Sequence, residues 1–442
     1  MIEYIREQNY LTQKRDQATD IDYSLIAALV IIVIFEGCAG KWFSLQLEYS
    51  LIILRDILAI AIAYRGFRLA RSSPYRLSYS LLTAWSVTVV FWALLQNLVA
   101  QTPAILILIG FRFWLLYAWT ALGICVLLSD QNYERLCALV IKMFCMMLPL
   151  VVIQNFSSPE SFINRSSGGD DAFVFRIDGN VVRATGTFSF TLGYTCFLAL
   201  ASALALSSSS PQEGRSRSYQ QQLLSVTVIL STIVSGSRAA IAFSGFLYIS
   251  TAILLAFSPR SSKSGAMVLG MVLSAFALLL MPLFFEETFI ALNNRILGAA
   301  EVEDFSERMI TLFLGSPTIH TEMTFLGRGI GLTANVAGFA LSGESMFLLA
   351  ESEPERLLLG GGILGIGYIM VKITLSLAGI YSALLAYKST GVIRPILLWT
   401  TALYALLSWP VSGQLSAHAV GHIVLALAIR SLSVQAAAPS QS

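Results

Sequence analysis

Long apolar runs constrain the fold of this chain more than any other feature of its sequence. A helix needs about 17 to 25 mainly apolar residues to cross the hydrocarbon core of a bilayer. About twelve runs of this kind follow one another along the chain and predict membrane-spanning helices. They occupy residues 23–40, 47–64, 78–100, 104–128, 135–153, 186–206, 222–235, 239–257, 265–285, 357–386, 394–410 and 414–430.

The composition agrees with this pattern. Of the 442 residues, 56% are hydrophobic and only 12% are charged, which is too apolar for a soluble enzyme. We therefore predict an all-α polytopic integral membrane protein with about 12 transmembrane helices. Residues 222–257 are too long for one helix and have a turn signal at Ser235-Gly236-Ser237, so we predict two helices there.

Basic residues in the short loops predict the orientation. Lysine and arginine accumulate in the short loops on the cytoplasmic side of a membrane. All the basic short loops fall on one side if the N-terminal segment 1–22 and the tail 431–442 are both cytoplasmic. The residues concerned are Lys14, Arg15, Arg65, Arg68, Arg71, Arg76, Arg215, Arg217, Arg260, Lys263, Lys388 and Arg394.

Two longer loops then lie on the extracytoplasmic side. The first, residues 154–185, interrupts helices one to nine, which span residues 23–285. The second is a large loop at residues 286–355, before helices ten to twelve at residues 356–430. An amphipathic stretch at 305–314 indicates ordered structure lying over the membrane surface.

Three arginines stand where predicted helices begin on the extracytoplasmic side, namely Arg183, Arg238 and Arg356. Helix N-termini carry free N–H groups and the positive end of the helix dipole. Guanidinium groups bind phosphates through two parallel hydrogen bonds, so these positions predict an anion site. The alternatives are snorkelling to the membrane surface and salt bridges with carboxylates of the large loop.

Charged residues also lie inside the predicted spans. Glu36, Arg55, Asp56 and Arg112 fall in the outer half of the membrane, and Lys372 lies nearer its middle. Such residues are costly in lipid and should face a partner or a wet cavity. Arg112 and Asp56 form either a structural ion pair or a substrate contact, and Lys372 allows the same two interpretations.

The start of the tenth predicted helix is rich in carboxylates. Ser352 and Glu355 fit a capping box, which makes Glu355 structural. Glu351 and Glu353 lie beside Arg356, where a carboxylate can act as a general base or bind sugar hydroxyls. The alternative is that both residues only favour the helix dipole.

Other potential ligands predict no metal or nucleotide site. His418 and His422 share one helical face, and we expect them to hydrogen-bond a neighbouring helix. No third metal ligand accompanies them, and we expect His320 to be a surface residue of the large loop. The glycine-rich loop 327–331, which contains Arg328, resembles a nucleotide loop only superficially because no clear strand precedes it.

Several motifs in a fixed order resemble one bacterial family. Over roughly residues 20–430, the chain is similar to the O-antigen ligase and O-antigen or exopolysaccharide polymerase superfamily. The motifs are Arg183-Ala184-Thr185-Gly186-Thr187-Phe188, Ser235-Gly236-Ser237-Arg238-Ala239, the loop from Gly327 to Gly331, and Gly362-Ile363-Leu364-Gly365 after a glutamate-rich segment.

The resemblance implies a GT-C-like fold and a metal-independent, cofactor-free glycosyltransferase of the bacterial inner membrane. It implies an undecaprenyl-pyrophosphate-linked glycan as donor, with a flippase and a chain-length regulator as partners beside the lipid bilayer. Arg238 matches a pyrophosphate-binding family arginine by its Ser-Arg context, and Arg183 and Arg356 are further candidates. We add Arg112 and Arg328 to the candidate pyrophosphate ligands, and place Glu351, Glu353 and Arg238 in the catalytic set.

One departure from the family bears on the reaction. The ligases carry a histidine near the end of the large loop, and Glu351 occupies that place here. This difference favours a polymerase, which extends chains of repeat units, over a ligase, which transfers finished glycan to lipid A or another acceptor. A transporter without covalent chemistry is the third interpretation, and it would place charges at both membrane depths.

Overall fold

The computed structural model describes residues 2–71, 73–167, 174–207, 215–257, 265–302, 304, 310–312, 315–316, 323–337, 350 and 352–436. Within these ranges the structure consists of helices, their connections and one two-stranded antiparallel sheet. The prediction of an all-α fold is confirmed. The sheet is a short hairpin of β1 (Arg176–Asp178) and β2 (Val181–Val182).

Each of the predicted apolar runs contains a helix. The helices are α1 (Ile2–Trp42), α2 (Leu45–Ala70), α3 (Arg76–Val99), α4 (Ala104–Phe111), α5 (Tyr117–Leu127), α6 (Asp130–Phe156), α7 (Thr191–Leu206), α8 (Arg215–Val234), α9 (Arg238–Ala256), α10 (Gly265–Phe284), α11 (Glu286–Val302), α12 (Glu353–Gly361), α13 (Ile363–Thr390), α14 (Arg394–Ser408) and α15 (Leu415–Ala436). A π-helical turn at Arg112–Leu116 joins α4 to α5. A 3-10 turn at Phe162–Asn164 follows α6.

Several of these helices suit a bilayer by themselves. Seven described spans are long and apolar enough to cross a membrane, or eight if α10 and α11 are counted as one span bent by 100°. The shorter apolar helices include α7, which has 16 residues. All of its residues except Leu192 are buried, because it packs against α6, α8, α9, α14 and α15. A helix enclosed by protein need not match the thickness of the lipid.

Contacts between loops define two ends of the helical bundle. At the basic end, Arg430 pairs with Asp130 and Arg394 pairs with Glu134. At the opposite end, which we call the loop end, Thr288 Oγ1 donates to Asn155 Oδ1 at 2.7 Å. The two ends of α6 (Asp130–Phe156) therefore lie at opposite ends of the bundle.

The tenth predicted helix, residues 357–386, is not continuous. It breaks at Gly362, whose φ of +59° separates α12 from α13. The backbone N–H of Ile363 donates to the Phe325 carbonyl at 3.0 Å, and a Cβ at position 362 would collide with that oxygen. The break therefore makes room for the chain that precedes the glycine-rich loop.

The glycine-rich loop itself packs on the same break. Its Arg328 and Gly329 N–H groups donate to the carbonyls of Leu359 and Gly360 at 2.8 and 3.1 Å. Gln96 of α3 secures the contact, because its amide donates to the Gly360 carbonyl at 2.8 Å. This loop is a structural connection between α3 and α12.

The capping box at the start of α12 is confirmed. Ser352 accepts a hydrogen bond from the Glu355 N–H, and the Glu355 carboxylate accepts one from the Ser352 N–H at 3.1 Å. The predicted turn between helices seven and eight is also present, since α8 ends at Val234 and Ser237 caps α9.

Candidate functional site

The Arg183 motif begins directly after the hairpin at the loop end of the bundle. The Arg183 N–H donates to the Phe175 carbonyl at 2.9 Å, which continues the pairing beyond β2. The expectation that Arg183 marks the start of a helix is wrong, since α7 begins only at Thr191. Residues 183–190 form an ordered loop, although those from 186 onward belong to the predicted apolar run 186–206.

The hairpin rests on the turn that precedes α9. Gly236 in that turn has a φ of +61°, and a Cβ there would collide with Ile177 and lie 3.3 Å from Cγ of Arg183. The side chain of Arg183 therefore passes beside Gly236. This glycine lies two residues before Arg238, the first residue of α9. Arg183 and Arg238, two of the predicted arginines, therefore lie close enough for the charge of one to act on the other.

Helix α11 supplies a third arginine, which the sequence did not predict. Arg295 Nη1 donates to the Arg176 carbonyl at 3.1 Å, so α11 is attached to the hairpin. Burial, together with the positive charges of Arg295 and Arg238, lowers the pKa of Arg183 to about 10. The main physical cause is burial, which disfavours the charged form, and repulsion from the two other cations adds to it. We call Arg183, Arg238 and Arg295 the arginine cluster.

A cleft opens beside Arg183. Its walls come from the segment after α6, the hairpin and the Arg183 motif. They consist of Asn164, Arg165, Ser166, Val174, Phe175, Val182, Arg183, Thr185 and Ser189. Arg165 thus adds another guanidinium group to a cleft that also offers hydroxyl and amide groups.

The first two helices hold the inner wall of the cleft. Lys41, at the end of α1, donates to Thr185 Oγ1 at 2.6 Å and to the Gly186 carbonyl at 2.8 Å. Gln154 of α6 accepts from the Gly186 N–H at 2.8 Å. At the start of α2, Glu48 accepts from Ser189 Oγ. The Arg183 motif is therefore fixed by side chains from three helices.

No protein-family model, curated protein or solved structure matches this chain. The function proposed below therefore stands on the residues and their geometry, together with the resemblance carried by the sequence motifs. The arrangement at the loop end offers several cations and hydroxyl donors beside apolar helices. Such a site suits a phosphorylated ligand with a hydroxyl-rich group and an apolar anchor.

Arg356 lies elsewhere, contrary to the prediction of a shared site. Its buried guanidinium group donates a hydrogen bond to the carbonyl of Thr333, which belongs to the chain that follows the glycine-rich loop. A Cβ at Gly413 would collide with the same guanidinium. The structure thus assigns Arg356 to the packing of α12 against its neighbours, and the charges that act on it are those of Glu353 and Glu355.

Glu353 is also engaged in packing. It forms a buried ion pair with Lys372 of α13, and it accepts hydrogen bonds from the Ser412 N–H at 2.8 Å and the Ser412 hydroxyl at 2.6 Å. Both carboxylate oxygens are occupied, and the residue is 1% exposed. This geometry corrects the prediction of Glu353 as a general base. Glu351 and His320 lie outside the described residues.

The charges inside the bundle form a separate group. Arg112 pairs with Asp56 at 3.0 Å between Nε and Oδ2, and Arg55 pairs with Glu36. Of the two interpretations of Arg112, the structure favours the ion pair. Arg328 is exposed, and its backbone is bound to α12. Neither Arg112 nor Arg328 belongs to the arginine cluster.

The two histidines form one aromatic group. His418 packs against Phe113 and Tyr117 at ring distances of 4.9 and 4.7 Å, and His422 Nδ1 lies 2.8 Å from the His418 carbonyl. His422 Nδ1 is therefore directed at a backbone carbonyl of its own helix and not at a neighbouring helix. Among the described residues, no group of three His, Cys, Asp or Glu side chains could hold a metal ion.

Proposed function

We propose that this chain is a membrane glycosyltransferase that polymerises undecaprenyl-pyrophosphate-linked oligosaccharide repeat units into a surface polysaccharide. The observation that carries the proposal is the convergence of Arg183, Arg238 and Arg295 at one end of a bundle of apolar helices. Burial and the charges of the other two arginines lower the pKa of Arg183, and a bound pyrophosphate favours the charged form of this residue.

The surroundings of the cluster suit such a donor. Arg238 begins α9, so its guanidinium acts together with the free N–H groups of a helix N-terminus. The polyprenyl tail can extend along the apolar surface of the bundle, and the polar cleft beside Thr185 and Ser189 offers hydroxyl groups to the first sugar of the glycan at its mouth. One ligand thus meets three kinds of environment that lie next to one another.

The proposed reaction is a displacement at the anomeric carbon of the donor. A hydroxyl oxygen of the acceptor sugar attacks this carbon, and the bond to the pyrophosphate oxygen breaks with its electron pair. The negative charge that develops on the leaving pyrophosphate is stabilised by arginines already in place before the reaction. The proton of the attacking hydroxyl must pass to a base.

The proposal includes a location for the enzyme. The chain lies in the bacterial inner membrane with about twelve crossing helices, the loop end faces the periplasm and both termini are cytoplasmic. The clustering of basic residues at the opposite end of the bundle supports this orientation. A flippase that delivers lipid-linked repeat units and a regulator of chain length are the expected partners.

Deleting the gene in its host and separating surface and lipid-linked glycans by size tests the proposed function. A polymerase predicts loss of long chains with accumulation of single lipid-linked repeat units. Long chains that remain on the lipid carrier would replace the proposal with a ligase. An unchanged glycan profile would contradict both glycosyltransferase functions and favour a transporter.

A further inference from the structure

The carboxylate of Glu48 occupies an unusual position behind the cleft. It belongs to the first turn of α2, where an acidic side chain ordinarily faces water and favours the helix dipole. Here it turns inward and is only 7% exposed. One oxygen, Oε1, accepts from Ser189 Oγ, and the other, Oε2, accepts from Ser167 Oγ.

The end of α1 is shaped to receive this carboxylate. A Cβ at Gly40 would collide with Oε2 of Glu48 and with Oγ of Ser167. A glycine at position 40 therefore lets the carboxylate lie directly against the helix backbone. The position of Glu48 is thus set by the packing of α1 and α2 as well as by the two hydroxyls.

Glu48 differs from other buried carboxylates of the molecule. Glu36 and Glu353 each form an ion pair with a buried cation. Among the described residues, no lysine or arginine forms an ion pair with Glu48, and its recorded partners are two hydroxyl groups. A carboxylate oxygen bonded by a hydroxyl group can take up a proton through that hydroxyl, whereas one that is paired with a lysine or arginine is engaged in its ion pair.

The two serines on Glu48 are not equivalent. Ser189 lines the cleft together with Arg183 and Thr185, whereas Ser167 is not part of the cleft wall. A hydroxyl group can donate one hydrogen bond and accept another at the same time. Ser189 therefore can accept a hydrogen bond from a sugar in the cleft while it donates to Glu48.

We propose that Glu48 is the proton acceptor of the transfer reaction and acts through Ser189; this inference rests on the proposed function. The acceptor sugar hydroxyl passes its proton to Ser189 Oγ as its oxygen bonds to the anomeric carbon of the donor. Ser189 passes its own proton to Oε1 of Glu48, and the bond to the pyrophosphate breaks with its electron pair. Glu48 later releases the proton to water, so that the cycle is balanced.

The test uses purified full-length protein and lipid-linked repeat units extracted from the deletion strain. Glu48→Gln keeps the shape of the side chain but removes its basicity, and we expect kcat to fall about 100-fold. The KM for the donor should stay within about twofold of its wild-type value, because the arginine cluster is unchanged. Glu48→Asp should recover part of the lost rate.

The two serines provide a matched pair of variants that tests the relay even if Glu48→Gln does not fold. Ser189→Ala, which interrupts the relay, should lower kcat about tenfold, whereas Ser167→Ala, which removes only a contact that positions Glu48, should lower it less, by about threefold. Equal losses in the two serine variants, or a Glu48→Gln protein with wild-type kcat, would overturn the relay. If wild-type protein makes no polymer from these units, the proposed function fails instead.

Discussion

Arg55 and Arg112 inside the helical bundle and Arg183 at the loop end have opposite surroundings. Inside the bundle, Arg55 and Arg112 each pair with a carboxylate of a nearby helix. At the loop end, the charges that act on Arg183 are the positive charges of Arg295 and Arg238. A buried ion pair is complete within the chain, but a buried arginine whose charged neighbours are cations gains from a ligand of opposite charge. This difference separates structural arginines from candidate binding residues.

The largest effect on stability should come from the ion pairs that are complete. Glu353→Ala leaves Lys372 buried without its partner, which should lower the free energy of unfolding by about 3–5 kcal/mol. A titration with sodium dodecyl sulfate, followed by circular dichroism, measures this loss. Glu134→Ala is the matched control, since it also removes the partner of one cation.

The two carboxylates differ in exposure. The side chain of Glu134 is 52% exposed, and that of Glu353 is 1% exposed. An exposed pair contributes about 0–1 kcal/mol, so the control should be close to wild type. If Glu353→Ala were as stable as Glu134→Ala, the structural role of the buried pair would be wrong.

An arginine of the cluster should affect substrate handling with little effect on stability. Arg295→Ala removes one of the three cations but leaves Arg183 and Arg238, and we expect kcat/KM for the lipid-linked donor to fall about tenfold. Arg76→Ala, which removes an exposed arginine at the basic end, should leave it unchanged. A normal kcat/KM in Arg295→Ala would exclude α11 from the site.

A smaller effect should appear as a dependence of anion binding on pH. Arg183 has a pKa of about 10 without ligand, and a bound anion favours its charged form. The association constant should therefore be constant at neutral pH and fall as the pH rises through about 10, where free Arg183 loses its proton. Calorimetry with a pyrophosphate diester, whose charge does not change in this range, measures the fall.

The same titration on a variant checks the assignment. Arg183→Ala should bind more weakly at every pH and should lack the contribution of this residue to the decline near pH 10. An identical decline in wild type and in Arg183→Ala would attribute the pH dependence to another group.

The sequence predicted the helices well, because their signals are local. The apolar run and the serine cap that predict a helix both lie within that helix or next to it in the sequence. The capping box of Ser352 and Glu355, for example, is present as expected. The break at Gly362 was missed because its cause is distant in sequence. The chain at Phe325 and the loop after it approach the helix there, and no local pattern encodes that contact.

The candidate site was predicted in part for the same reason. Arg183 and Arg238 were identified from their motifs, but their meeting depends on the hairpin that rests on Gly236. Arg295 was not identified because it falls in the predicted large loop, where carboxylates are frequent and no motif marks it. Lys41, a basic residue at the loop end of the first span, gave a signal that could have been used. Glu353 was misassigned because its partner, Lys372, lies on the next helix.

The most direct test of the central claim is the binding of undecaprenyl pyrophosphate to the purified protein, measured for wild type and for Arg183→Ala/Arg238→Ala. Arg76→Ala serves as the control for loss of an arginine. We predict that the double variant keeps its fold and binds at least about 100-fold more weakly, since two charge-assisted contacts are lost. Equal affinity in the double variant and in wild type would contradict the claim that the arginine cluster is the pyrophosphate site.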